Sequence, residues 1–266
     1  MRPNYLRWNN GLAVLASVGL LANAQAQTQL SPDEPTLLAY EAASRVVYVD
    51  RCERDRCAEL DIQILRFEAN PRFNQFVEQA LVSMAWSSTT EKAPYQDMAQ
   101  LAEYFRETAK PGEQLNLETS VLRQTPELVV LSLTQYRFEG GAHGESSQFL
   151  INWLPRQDQV ISLETALLPG AMTAYVKALS QAHEAWLLDQ ANTGAIDDVA
   201  VFKEQWPLVP SKNMALMPDG LLVSYPRYSI GPGSFGEPAI TLPYAMLEDI
   251  FKPDVMALAV APLIAK

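Results

Sequence analysis

His143, one of only two histidines in 266 residues, sits between two carboxylates in the run Phe138-Glu139-Gly140-Gly141-Ala142-His143-Gly144-Glu145. An imidazole changes charge near neutral pH, so a histidine beside Glu139 and Glu145 has the residue types needed for proton transfer. Catalysis also requires a nucleophile, a metal ion or a second carboxylate held at a set distance. Ser146 and Ser147 follow directly, but no G-x-S-x-G elbow frames them. His143-Gly144-Glu145 has the H-x-E spacing of zinc deaminases and lacks their P-C-x-x-C partner. His183-Glu184 has no second histidine at i+4 to complete H-E-x-x-H. Glu139 and Glu145 match a glycosidase pair only if the fold sets them about 5–10 Å apart. No catalytic set is therefore expected. The leading role for His143 is a structural hydrogen bond at this glycine corner, and Glu139, His143 and Glu145 are carried forward as candidate ligand contacts. Three glycines in five residues mark a backbone corner that other residues avoid.

A second candidate group is Arg227-Tyr228, with Phe235 nearby in the same proline-rich loop. Arginine and aromatic side chains commonly anchor interfaces, so Arg227 and Tyr228 are candidate ligand contacts, although core packing of Tyr228 and Phe235 is the leading expectation. Gly231-Pro232-Gly233-Ser234-Phe235-Gly236 matches G-x-G-x-x-G, yet Pro238 and the β-like Ala239-Ile240-Thr241-Leu242 follow where a phosphate-binding helix should open. It reads as a turn. Cys52 and Cys57 bracket four charged residues and are expected to form a disulfide at the base of a hairpin tip. Two thiolates alone do not make a metal site, and no metal or cofactor is expected.

The elements that must position these residues begin after an export signal. Arg2 and Arg7 give a basic start, residues 12–22 form an apolar run and Ala24-Gln25-Ala26 offers a cleavage site, so residues 1–26 are expected to be removed. That run, and the apolar stretch 255–265 with its Pro262, are both shorter than the ~20 residues a bilayer needs. The second is expected to fold onto the core, leaving no stable membrane anchor and an exported, periplasmic protein. Removing Arg2 and Arg7 from the 20 basic residues leaves 18 against 31 acidic ones, a net charge of −13. Such a surface argues against nucleic acid as a partner; the acidity reads first as keeping an exported protein soluble, and it suits a cationic protein as a partner.

Strands are expected over 45–50 and 60–67, the second with Ile62, Ile64 and Arg66 on one face and Asp61, Gln63 and Leu65 on the other. Asn70-Pro71 starts a helix that buries Phe73, Phe76, Val77, Ala80, Leu81 and Met84, and a second helix runs over 95–108. A meander follows at 113–123, 127–138, 148–154 and 159–162. A long helix covers 171–190 with His183 on its apolar stripe, Pro218-Asp219-Gly220 turns a hairpin, and residues 239–242 and 243–251 give a last strand and helix. Strands and helices come in blocks, so the fold class is α+β, an antiparallel sheet packed with helices; the length suits one large domain or two small lobes sharing a core.

Two stretches together resemble the RsiV-like C-terminal domain family, a bacterial extracytoplasmic domain of unknown function. They are Glu139-Gly-Gly-Ala-His-Gly144 with the strand through Asn152, and residues 213–244 with their P-x-G-L turn and Ile240-Thr-Leu-Pro-Tyr244 tail. The upstream cysteine loop, strand and helices resemble the PdaC/RsiV-type N-terminal lobe. The resemblance implies domains at 37–126 and 127–254, two small lobes forming one module. It also implies a non-catalytic binding protein of the cell envelope, whose candidate partner is a lysozyme-like muramidase or cell-wall glycan. An envelope hydrolase using His143 with a neighbouring carboxylate and an unanchored stress-signalling module are the alternatives.

Overall fold

A computed structural model describes residues 37–53, 56–86 and 90–261. The expected signal segment lies outside the described residues. Tyr40–Glu53 (β1) and Arg56–Phe67 (β2) form a long hairpin closed by the Cys52–Cys57 disulfide. Two helices, Pro71–Met84 (α1) and Met98–Thr108 (α2), then carry the chain back to Gln114–Gln124 (β3). Val129–Phe138 (β4), Glu145–Leu154 (β5) and the short Gln159–Ile161 (β6) complete a six-stranded sheet in simple order, β1 to β6.

The α+β class holds, with one correction to the antiparallel expectation. β2 and β3 are parallel, pairing Glu59 with Gln114 through Gln63 with Glu118. A parallel pair needs a crossover of a dozen or more residues, and α1 and α2 supply it. Where this pairing ends, Thr119 Oγ1 accepts the Leu65 amide at 2.6 Å and extends the ladder by one side chain.

The stripe Phe73, Val77 and Leu81 packs α1 onto the sheet, while Phe76, expected inside, is 40% exposed. It lies one step off the i, i+4, i+8 row, so its ring reaches the side of Phe73 instead of the core. α2 starts three residues later than its apolar pattern suggested, because Asp97 accepts the Gln100 amide at 2.8 Å and caps it.

The opposite side of the sheet carries a second layer. Leu163–Ala166 (α3), Met172–Asn192 (α4) and Val199–Gln205 (α5) lead to a three-stranded sheet of Met214–Met217 (β7), Gly220–Ser224 (β8) and Ala239–Leu242 (β9). The apolar stripe of α4 is buried as its spacing predicts, His183 included. α3 and α5 are too short for periodicity to reveal and are set by the caps Ser162 and Asp198. The helix expected over 243–251 is a single 3₁₀ turn, Tyr244–Met246. The last helix, Pro253–Val260 (α6), starts where proline occupies a first-turn position and buries Val255 and Ala259.

β4 is buried on both faces. Val129, Leu131 and Leu133 join the core beneath α1 and α2, whereas Leu128 and Val130 join the core shared with α4 and the small sheet. The boundary expected between residues 126 and 127 falls at the β3–β4 hairpin, inside one continuous sheet. Two asparagines fasten the layers together. Asn152 donates to the Met214 carbonyl at 2.8 Å and accepts the Leu216 amide at 2.7 Å, and Asn213 accepts the Leu150 amide and donates to the Gln148 carbonyl, both at 2.8 Å.

Arg123, 3% exposed, binds the carbonyls of Leu216 at 3.1 Å, Leu258 at 3.3 Å and Ala261 at 2.7 Å, and that of Ala259. Arg123→Met, which strands those carbonyls, is expected to lower the unfolding free energy by about 3 kcal/mol in urea titration, with Arg123→Lys recovering less than half. Burial holds His183 below the ordinary histidine pKa, although the adjacent Glu184 opposes the shift; Lys203, which pairs with Glu184, adds to it. A group whose folded pKa is depressed in this way binds protons more readily when unfolded. Stability is therefore complete above about pH 6.5 and falls as the pH drops from there toward the folded pKa. The melting temperature is expected to decline between pH 7 and pH 5 in the native protein and to decline less in His183→Leu.

Candidate functional site

The glycine corner joins β4 to β5. Gly140 and Gly141 take φ values of 103° and 99°, a region closed to side-chain-bearing residues at low cost. Strand alternation sends Arg137 to the helix-covered side, where it bonds Glu139 Oε1 at 2.8 Å and the Ala85 carbonyl at the end of α1. Tyr95 donates to the same carbonyl at 2.7 Å, and its pKa is pushed up to about 12 by burial, against the pull of Arg137. Glu139 is thus engaged in an ion pair that sets the corner.

His143 is exposed, and its Nδ1 lies 3.2 Å from the neighbouring Gly144 carbonyl. The structural hydrogen bond expected of it reaches no further than the next residue, and it holds no second element. Glu145 is exposed in register with Arg137, and Ser147 donates to Gln135 at 2.9 Å. Among the described residues no group of three or more His, Cys, Asp or Glu side chains is placed to hold a metal ion.

Arg227 and Tyr228 do come together. The Arg227 guanidinium lies 5.8 Å from the centre of the Tyr228 ring, and its Nε donates to the Gly233 carbonyl at 3.0 Å. Tyr228 has φ 66°, costly for a residue with a side chain, and is 50% exposed, which corrects its expected core packing. Its hydroxyl lies over Gly233, where a Cβ would fall 2.4 Å away. The G-x-G-x-x-G stretch is therefore a turn moulded around tyrosine. Phe235 packs against Trp186 and Phe202 as expected. No hydrogen bond or ion pair among the described residues connects this loop with the glycine corner.

Alternation also presents a surface that no motif marks. On the face opposite α1 and α2, the row nearest the corner holds Tyr48, Glu59, Gln114 and Phe138. The next holds Val46, Asp61, Asn116, Tyr136 and Ser146, and the third Ser44, Gln63, Glu118, Thr134 and Gln148. Five strands at about 4.8 Å make this face roughly 19 Å wide. Tyr48 is 67% and Tyr136 36% exposed, and Glu118 is exposed. None of these positions carries lysine or arginine. Asp61 Oδ2 accepts from Gln63 at 3.1 Å, while its Oδ1 is buried with no partner among the described residues. The small sheet reaches this region at Gln148, whose Oε1 accepts from Ser224 at 2.9 Å. The outward assignment of Asp61 and Gln63 is visible in the sequence; the absence of a covering layer over them is not.

Gly144 belongs to this face, because a Cβ there would fall 2.5 Å from the Tyr136 ring.

A family model described as a protein of unknown function, DUF3298, matches residues 167–245. The second of the two motifs lies largely within that segment, and the glycine corner lies before it. A crystal structure of a DUF3298 family protein from Pseudomonas aeruginosa PAO1 is similar over 82% of this chain and 96% of that one, with 32% identity and a TM-score of 0.74. A family member from Bacteroides fragilis NCTC 9343, 14% identical, shares the fold over 84% of this chain and 97% of that one at a TM-score of 0.61. The chain is also similar to the peptidoglycan-N-acetylmuramic acid deacetylase PdaC of Bacillus subtilis (strain 168), 24% identical over 183 residues. That match takes in 67% of this chain and 37% of the deacetylase, so the chain spans well under half of that relative's length.

The contacts of the corner separate two kinds of glycine. Gly144→Ala is expected to displace the Tyr136 ring, seen as a shift of its ring signals by NMR, with a stability change within about 0.5 kcal/mol, since only a partly exposed side chain must move. Gly141→Ala is expected to cost about 1–3 kcal/mol through backbone strain alone.

Proposed function

The chain belongs to the DUF3298 family, and from that premise we propose that it is a non-catalytic binding module of the cell envelope that uses the open sheet face to take a cationic protein of the lysozyme-like muramidase class. The observation that carries this reading is the face itself. Glu59, Asp61 and Glu118 stand between Tyr48 and Tyr136 with no basic residue among them. Carboxylates steer a cationic partner and tyrosines supply rigid contact area at low entropic cost. Export is supported by the basic-apolar-A-x-A start of the chain and by the disulfide, which suits an oxidising compartment. The resemblance of its two motifs to the RsiV-like domain supports the same reading.

The similarity to a peptidoglycan deacetylase favours a second reading, in which the tyrosines of the same face stack on cell-wall glycan. Calorimetry with a panel of lysozyme-like muramidases and with soluble peptidoglycan fragments separates the two. A muramidase is expected to bind, to weaken as salt is raised from about 0.05 to 0.5 M, and to lose about tenfold or more in affinity with Tyr136→Ala or Glu118→Lys. His143→Ala is expected to bind normally. Glycan recognition would instead show fragment binding with little salt dependence, and silence in both arms would end the proposal.

A further inference from the structure

The side of the sheet away from the proposed protein-binding face holds a second candidate site. A cleft of about 250 Å³ opens between α1, the segment leading into α2 and Arg66 of β2, and one of about 190 Å³ opens between β1–β2 and the helices; both are lined by Arg66 and Glu78. These two side chains form an ion pair at 3.1 Å, 48% and 28% exposed, so the pair is the wall that the clefts share.

The floor of the smaller cleft is aliphatic. Ile62 and Ile64 are 3% and 5% exposed, and Met98 at the start of α2 closes the other side. The larger cleft is rich in amides. Asn74 is already committed to both backbone groups of Phe67, and Asp97 to Gln100. Gln75, Gln79 and Gln96 make no side-chain hydrogen bond among the described residues, nor does Arg45 at the rim of the smaller cleft. Arg66 and Glu78 thus stand between the two clefts, with Arg45 at the smaller and Asp97 at the larger, on a chain whose net charge is −11. A lining balanced in this way does not select an anion or a cation. It matches a molecule carrying both charges, with amide groups for the glutamines and a small aliphatic side chain for the floor.

The geometry points to a binding site for a short zwitterionic peptide: its carboxylate on Arg66 and Arg45, its ammonium on Glu78, its amide against the free glutamines and its methyl group over Ile62 and Ile64. Each cleft is smaller than the roughly 300–1,000 Å³ that drug-sized ligands occupy, and a dipeptide that spans the shared wall places one end in each. Binding exchanges one half-exposed ion pair for two charge-assisted contacts, so the ligand opens the wall it sits against.

The test is calorimetry of the full chain with the four stereoisomers of alanylalanine, the N-acetylated form and the C-terminal amide. At least one free dipeptide is expected to bind with a Kd on the order of 1 mM or tighter, and each blocked form at least about tenfold more weakly. Arg66→Gln and Glu78→Gln, both partly exposed, are expected to melt as the native protein does and to lose about tenfold each. Equal binding of blocked and free forms, undiminished binding by both variants, or no heat from any stereoisomer at about 10 mM overturns the proposal. Because these residues lie across the sheet from Tyr136 and Glu118, the outcome is independent of muramidase or glycan binding.

Discussion

A single bulge in β3 turns a buried arginine across the sheet, and the arrangement of the layers depends on it. Up to Val121 the inward residues of this strand, Leu115, Leu117 and Thr119, face the helices α1 and α2. The register then shifts, so that Arg123 pairs with Val130, whose side chain belongs to the other core. A bulge re-aims a side chain in this way. Among the described residues the guanidinium meets no carboxylate; four backbone carbonyls from β7 and the end of α6 receive it, and the C-terminal end of that helix adds the negative pole of its dipole. Burial lowers its pKa from the usual arginine value, with Tyr244 opposing, yet an arginine remains charged. The planar fork reaches carbonyls on two elements at once, which a lysine ammonium on its flexible stem does not.

With β3, β7 and α6 tied at one point, the second layer has a fixed position and a limited reach. β4 and β5 are 10 residues each, whereas β7, β8 and β9 have 4, 5 and 4. At about 3.4 Å per residue the small sheet covers roughly half the length of the strands beneath it. Asn152 and Asn213 hold the covered half by satisfying backbone groups between sheets that are not themselves paired, and Ser224 on Gln148 marks its limit. The open acidic face is therefore what the length difference leaves uncovered, and its strands are backed on their other side by the core beneath α1 and α2.

Much of this was legible in local pattern. The α4 stripe with His183, the cysteine hairpin and the Pro218-Asp219-Gly220 turn each rest on interactions between near neighbours, and each is found where the residues indicate. Phe76 shows how narrow that legibility is, since one position off the stripe suffices to expose a large ring. The parallel β2–β3 pair was not legible, because alternation reports which face a residue takes and is silent on strand direction. Nor was the open face. Tyr48, Asp61, Asn116, Glu118 and Tyr136 come from four strands and converge only through registers that no spacing encodes.

The glycine corner illustrates why residue type alone points to the wrong atom. His143 is the one histidine there, and among the described residues the fold gives it no partner beyond its neighbour's carbonyl. What the corner does instead follows from what its glycines lack. Gly140 and Gly141 let the chain reverse, while Arg137 and Glu139 lock that reversal to the end of α1. Gly144, having no Cβ, leaves room for the Tyr136 ring on the other side of the sheet. The corner thus sets the orientation of an aromatic on the open face through a missing atom, so its chemistry is steric, and the titratable group that draws the eye is peripheral to it.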